Sequence, residues 1–221
     1  MLSVRAEGGV GSAFADPVVT ITFSKPVSAV SLDSESMVVL GPETLRITGS
    51  ISMENDTVAL WRPADLLEFG TQYTLVLKPD ITDLFGNKLD GANIGQPSSY
   101  EFTFITRSDN KPPIIRKWSP QGSGTSLRPE IMVVFDIPVA SSTLTEENIK
   151  LRRGTGREIP IEIDLSGSGL EIEITANEPL LPNTTYSLTM GDGITSQKGQ
   201  RLLSTFMWNF TTGRPDMSKD T

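Results

Sequence analysis

The chain has neither cysteine nor histidine in its 221 residues. Without cysteine there is no disulfide and no thiolate chemistry. Without histidine the commonest general base and the commonest zinc ligand are both missing. Aromatic residues are sparse, at 7%, with three tryptophans among them. No apolar run approaches the ~20 residues that a membrane-spanning helix needs, so no transmembrane segment is expected. The opening Met1-Leu2-Ser3-Val4-Arg5 lacks the apolar stretch of a secretory signal; an exported parent would carry that signal elsewhere in a longer chain. Basic side chains are in the minority, with a net charge of −8. Residues 1–108 hold 7 basic and 13 acidic side chains, and residues 109–221 hold 12 and 14. An acidic surface repels phosphate backbones, so nucleic acid is not expected as a partner.

What is present is an internal repeat. Pro17-Val18-Val19-Thr20-Ile21-Thr22-Phe23-Ser24-Lys25-Pro26-Val27 returns as Pro129-Glu130-Ile131-Met132-Val133-Val134-Phe135-Asp136-Ile137-Pro138-Val139, 112 positions later. Tyr73-Thr74-Leu75 returns as Tyr186-Ser187-Leu188, and Ile81, Gly86 and Leu89 as Ile194, Gly199 and Leu202, each 113 later. Phe104-Ile105-Thr106 matches Phe210-Thr211-Thr212 at an offset of 106, so the first copy carries about seven extra residues near 90–96. The polar, proline-containing stretch Arg107-Ser108-Asp109-Asn110-Lys111-Pro112-Pro113 reads as the linker between domains 1–108 and 109–214. Its two prolines are expected to stiffen the joint. The polar tail, 215–221, is expected to be disordered.

Within each copy apolar residues alternate with polar ones. Val19, Ile21 and Phe23 share one face; so do Leu170, Ile172 and Ile174, with Glu171 and Glu173 on the other. Period two with one polar face marks antiparallel strands that are wet on the outside. About seven such runs per copy, broken by Gly, Pro and Asn, predict an all-β chain of two tandem immunoglobulin-like Greek-key β-sandwiches. Short helical turns are expected at 63–67 and 145–148.

Longer strings within the first copy carry a resemblance. Ile21-Thr22-Phe23-Ser24-Lys25-Pro26-Val27, Leu66-Leu67-Glu68-Phe69-Gly70-Thr71-Gln72-Tyr73-Thr74-Leu75, Ile81-Thr82-Asp83-Leu84-Phe85-Gly86-Asn87 and Phe102-Thr103-Phe104-Ile105-Thr106 together resemble the bacterial Ig-like domains (group 5) of S-layer and other surface proteins. The second copy keeps Phe135, Pro138, Val139, Leu180, Tyr186 and Gly199 but has Ser196 for Asp83 and Gln200 for Asn87. The resemblance implies a non-catalytic structural or spacer module of a larger extracellular, cell-surface or secreted protein, whose partners are the neighbouring domains of the parent chain. Its alternative is an adhesive accessory module that binds a cell-surface glycan or a protein.

Each singled-out residue has a physical reading. Tyr73 and Tyr186 follow a leucine-containing turn at the start of a strand, where the ring is buried and the hydroxyl bonds backbone a few residues upstream. Gly86 and Gly199 stand where a tight turn needs positive φ. Asp80, Asp83 and Asn87 in one loop, with Asp109 in the linker, supply the hard oxygen donors that calcium takes; turn and linker chemistry alone accounts for the same residues. Trp118 beside the linker is read as covering the domain junction or as contacting a ligand. With no recognisable catalytic constellation, an enzyme is not expected. Any specific site is expected in the first copy or at the joint.

Overall fold

Burial follows the alternation of the sequence. In the strand Gln72–Leu77 the residues Tyr73, Leu75 and Leu77 are buried while those between them are half-exposed. In Glu171–Ala176 it is Ile172, Ile174 and Ala176 that face inward. Each such Ile or Leu contributes about 1.5–3 kcal/mol when fully removed from water. The computed structural model describes residues 2–154 and 156–214, and the expected disorder at 215–221 lies outside them. The chain divides into two units, Met1–Ser108 and Asp109–Thr221.

The first unit holds β1 (Ser3–Ala6), β2 (Val19–Thr22), β3 (Met37–Leu40), β4 (Arg46–Ile47), β5 (Gly49–Asn55), β6 (Val58–Pro63), β7 (Gln72–Leu77) and β8 (Tyr100–Ile105). They form two antiparallel sheets, in the orders β1-β2-β6-β5 and β4-β3-β7-β8. The chain passes from β2 to the other sheet, returns for β5 and β6, and crosses again to β7. This is the Greek-key path of an immunoglobulin-like sandwich. Val19, Ile21, Ala59 and Trp61 from one sheet meet Val39, Leu75, Leu77 and Phe104 from the other in a single core.

The second unit repeats the plan with β9 (Ile115–Ser119), β10 (Gly122–Thr125), β11 (Ile131–Phe135), β12 (Ile149–Arg153), β13 (Glu158–Ile159), β14 (Ile161–Leu165), β15 (Glu171–Ala176), β16 (Thr185–Met190) and β17 (Phe206–Thr212). Its sheets run β14-β15-β11-β9 and β10-β17-β16-β12-β13. Among the described residues one pair of strands runs parallel, β10 on β17, and it has a rudiment in the first copy. There Ala13 bridges Thr106, and Ala13 N–H donates to the Ile105 carbonyl at 2.9 Å. A second core, around Val133, Phe135, Leu151, Ile172, Leu188 and Phe210, closes this unit.

The helical expectation at 63–67 is corrected by the structure. This stretch ends β6 and then bends, because its N–H groups serve other segments: Ala64 donates to the Thr48 carbonyl (3.0 Å) and Leu67 to that of Ala15 (2.8 Å). At 145–148 there is one turn, in which the Thr145 carbonyl accepts from both Asn148 and Ile149. The short 3-10 turns lie instead at Ala29–Ser31, Pro42–Thr44 and Ser141–Thr143.

Candidate functional site

Both tyrosines lock a corner. The Tyr73 hydroxyl accepts from Glu68 N–H and the Tyr186 hydroxyl from Leu181 N–H, each at 2.9 Å. Both rings are buried and stack on the neighbouring strand, Tyr73 on Phe104 and Tyr186 on Phe210. Burial pushes the Tyr73 phenol above its ordinary pKa. A threonine completes each corner. Thr106 Oγ1 accepts from Thr71 N–H, and Thr212 Oγ1 accepts from Thr184 N–H.

The sandwich end where β2 finishes and β8 begins carries the Asp83 turn and the extra loop of the first copy. In the first copy Val27 bridges Asp83 and Ser28 N–H donates to the Thr82 carbonyl, so the β2–β3 connection is tied to the hairpin 81–89. Asp83 builds the tip of that hairpin. Its Oδ1 accepts from Phe85 N–H (2.8 Å) and Asn87 N–H (2.9 Å), and its Oδ2 from the Asn87 amide (2.8 Å). Gly86 supplies the left-handed residue, φ +83°. These bonds, the Asn87 amide foremost, hold the Asp83 carboxyl below its usual value. In the second copy the Ser196 hydroxyl accepts from Gln200 N–H at 3.2 Å and Gly199 has φ +81°. A hydroxyl with less acceptor capacity thus closes the same turn.

The extra loop of the first copy is organised by Asp90, a residue the sequence reading did not single out. Its carboxylate accepts from Ile94 N–H (3.0 Å), Gly95 N–H (2.7 Å) and the Ser98 hydroxyl (3.1 Å). Those bonds, led by Ile94 N–H, lower its pKa. An aspartate at the head of a Gly- and Asn-containing insertion is the signature of such side-chain-closed turns, and that signal was available. The loop forms one wall of a cleft of about 580 Å³, floored by Phe23, Val27, Leu89 and Tyr100 and edged by Lys25 and Asn93.

The remaining expected site residues are distributed as follows. Asp80 faces Lys88 at 3.3 Å, while Asp83 and Asn87 bond each other within their turn. Asp109 belongs to the second unit and lies 3.9 Å from Lys198. Among the described residues no three carboxylates converge as metal ligands. Trp118 is half-buried within the second sandwich, edge-on to Phe206 with centroids 4.8 Å apart and 6.5 Å from Trp208. Trp208 in turn donates its indole N–H to the Pro120 carbonyl at 3.0 Å. This aromatic group packs β9 of one sheet against β17 of the other. The first copy's cleft is lined by both apolar and hydrogen-bonding side chains.

The sequence model of a bacterial Ig-like domain matches the chain twice, at residues 6–106 and 109–212. No curated protein sequence matches the chain. Among solved structures, the chain is similar to native alpha-2-macroglobulin from Escherichia coli spanning domains MG0-NIE-MG1, at 13% identity and a TM-score of 0.50, covering 96% of this chain and 71% of that one. It is also similar to the N-terminal part of the bacterial S-layer protein SbsC, at 14% identity and a TM-score of 0.40; the match covers 94% of this chain and 44% of that one, so this chain spans less than half of that structure. A third is Bacteroides ovatus SGBP-B in complex with a mixed-linkage heptasaccharide, at 14% identity and a TM-score of 0.33, covering 93% and 44%.

Proposed function

The chain belongs to the bacterial Ig-like domain family, in two consecutive copies, and from that premise we propose that it is a non-catalytic structural or spacer module of a larger bacterial cell-surface or secreted protein. The observation that carries this reading is where the conspicuous side chains are used. Tyr73, Tyr186, Asp83, Asp90, Thr106 and Thr212 all bond within their own sandwich. They hold turns and corners, and the carboxylates face no histidine or cysteine with which to share acid–base work. Among the described residues no helix is long and apolar enough to cross a membrane. The neighbouring domains of the parent chain are the partners this role requires. The 221-residue chain is expected to show no turnover on glycan, peptide or ester substrates. Turnover abolished by substituting one carboxylate pair would reject the reading.

A second reading, an adhesive or carbohydrate- or protein-binding accessory module, is favoured by the cleft beside the Asp90 loop, whose wall is missing from the second copy. With the Trp118 ring packed on Phe206, this reading places the contact at the first copy's cleft. A glycan or host-protein array distinguishes the two. Specific binding lost on Tyr100→Ala would replace the spacer with the adhesive module.

A further inference from the structure

The same end of the first sandwich exposes apolar side chains on turns that its own polar groups hold rigid. Phe85 is 92% exposed, Val30 91%, Leu84 63% and Ile94 60%. Leu84 and Phe85 ride on the Asp83 turn, and Ile94 on the Asp90 loop. Val30 rides on the 3-10 turn Ala29–Ser31, whose Ser31 hydroxyl accepts from Thr82 N–H at 3.0 Å. The second copy is an internal control. The residues standing where Val30, Leu84 and Phe85 stand are Ser142, Gln197 and Lys198, and the loop bearing Ile94 is absent. Leu203, Met207 and Ile114 are the exposed large hydrophobics toward its corresponding end. The scaffold thus tolerates a polar tip, and the first copy displays an apolar one, the mark of a surface that is covered.

Charge points to what covers it. Around the apolar tip lie Asp33, Asp56, Asp80, Asp83 and Asp90, against Lys25, Lys78 and Lys88. The end of the second sandwich at which β17 finishes has the opposite balance. Arg128, Arg153, Arg157 and Arg214 are exposed there, with Glu130 and Glu178, and Leu181 is 50% exposed among them. Glu158, in the same region, is taken up by Arg152 and Lys150. We propose that the acidic, apolar-tipped end of the first sandwich docks on the basic end of the second sandwich of another copy of this chain, so that copies associate head to tail. The two surfaces differ, so the contact is heterologous, and each copy brings one head and one tail to it. This goes beyond the spacer reading, since a spacer that never self-associates remains a spacer.

Two variants of the whole chain test it: Leu84→Ser with Phe85→Ser at the head, and Arg153→Glu with Arg157→Glu at the tail. All four side chains are exposed, so unchanged melting temperatures check that both variants fold. In sedimentation velocity up to about 1 mM, the average mass of the unaltered chain is expected to grow with concentration. That growth should weaken as salt is raised past about 0.15 M. Each variant alone should stay monomeric, and an equimolar mixture should give a 1:1 dimer and nothing larger. Three results would overturn the proposal. One is an unaltered chain that remains monomeric throughout. Another is a tail variant that still dimerises, which would mean head-to-head pairing. The third is flotation with phosphatidylglycerol vesicles that is lost in the head variant while sedimentation is unchanged, which would make the apolar tip a lipid contact.

Discussion

A tyrosine hydroxyl that accepts one backbone N–H at the edge of a core sets a measurable cost for its removal. Tyr73→Phe leaves Glu68 N–H without its partner, and Tyr186→Phe does the same to Leu181 N–H. Each change is expected to lower stability by about 1–2 kcal/mol in urea unfolding. Asp83 makes a different kind of prediction. Its carboxyl is held below the ordinary value, so its contribution is present above the unfolded value of about 4 and is lost as pH falls through the folded one. Asp83→Asn should therefore flatten the loss of stability below about pH 4, read from melting temperatures across an acid series. The same side chain separates two readings of the loop. A calcium site at Asp80, Asp83 and Asn87 requires the melting temperature to rise with calcium and fall again with chelator. Use of the carboxylate by Phe85 and Asn87, and of Asp80 by Lys88, predicts no shift in differential scanning fluorimetry.

At the scale of the element, the connection from β7 to β8 distinguishes the copies. In the first it pairs with itself, Gly91 N–H donating to the Ser98 carbonyl at 3.0 Å and Ser98 N–H to that of Leu89 at 3.0 Å. A Cβ on Gly91 would lie 2.5 Å from the Ser99 carbonyl and from Tyr100 N, both backbone. Gly91→Ala is thus expected to open this pairing and cost about 1–3 kcal/mol, with faster hydrogen exchange at 90–100 as its sign. Strand positions were legible because period-two alternation reports directly which face is dry. The turn at 63–67 was not. Pro63 and the leucines after it suit a helical turn locally, but Thr48 and Ala15, far away in sequence, capture the N–H groups. The insertion was visible as a seven-residue mismatch between the copies, whereas its order depends on where the Asp90 carboxylate reaches.

For the whole molecule, each copy has its own core, drawn from both of its sheets. Leu75→Ala in the first and Leu188→Ala in the second are expected to cost about 2–5 kcal/mol each. Hydrogen exchange should place the lost protection on β2, β3 and β6 in the one case and on β11, β12 and β15 in the other. The sequence by itself determined the repeat, the two sandwiches, the corner tyrosines and the glycine turns. These follow from local periodicity and from backbone conformations that few residues adopt. Tertiary structure decided the rest. It turned Asp83 inward on its own tip, set Trp118 against Phe206 and Trp208, and gathered Val30, Phe85 and Ile94 at one end of the first sandwich. Val30 is 55 positions from Phe85 and Trp118 is 88 from Phe206, and only pairing between distant segments brings them together. No local pattern encodes that proximity.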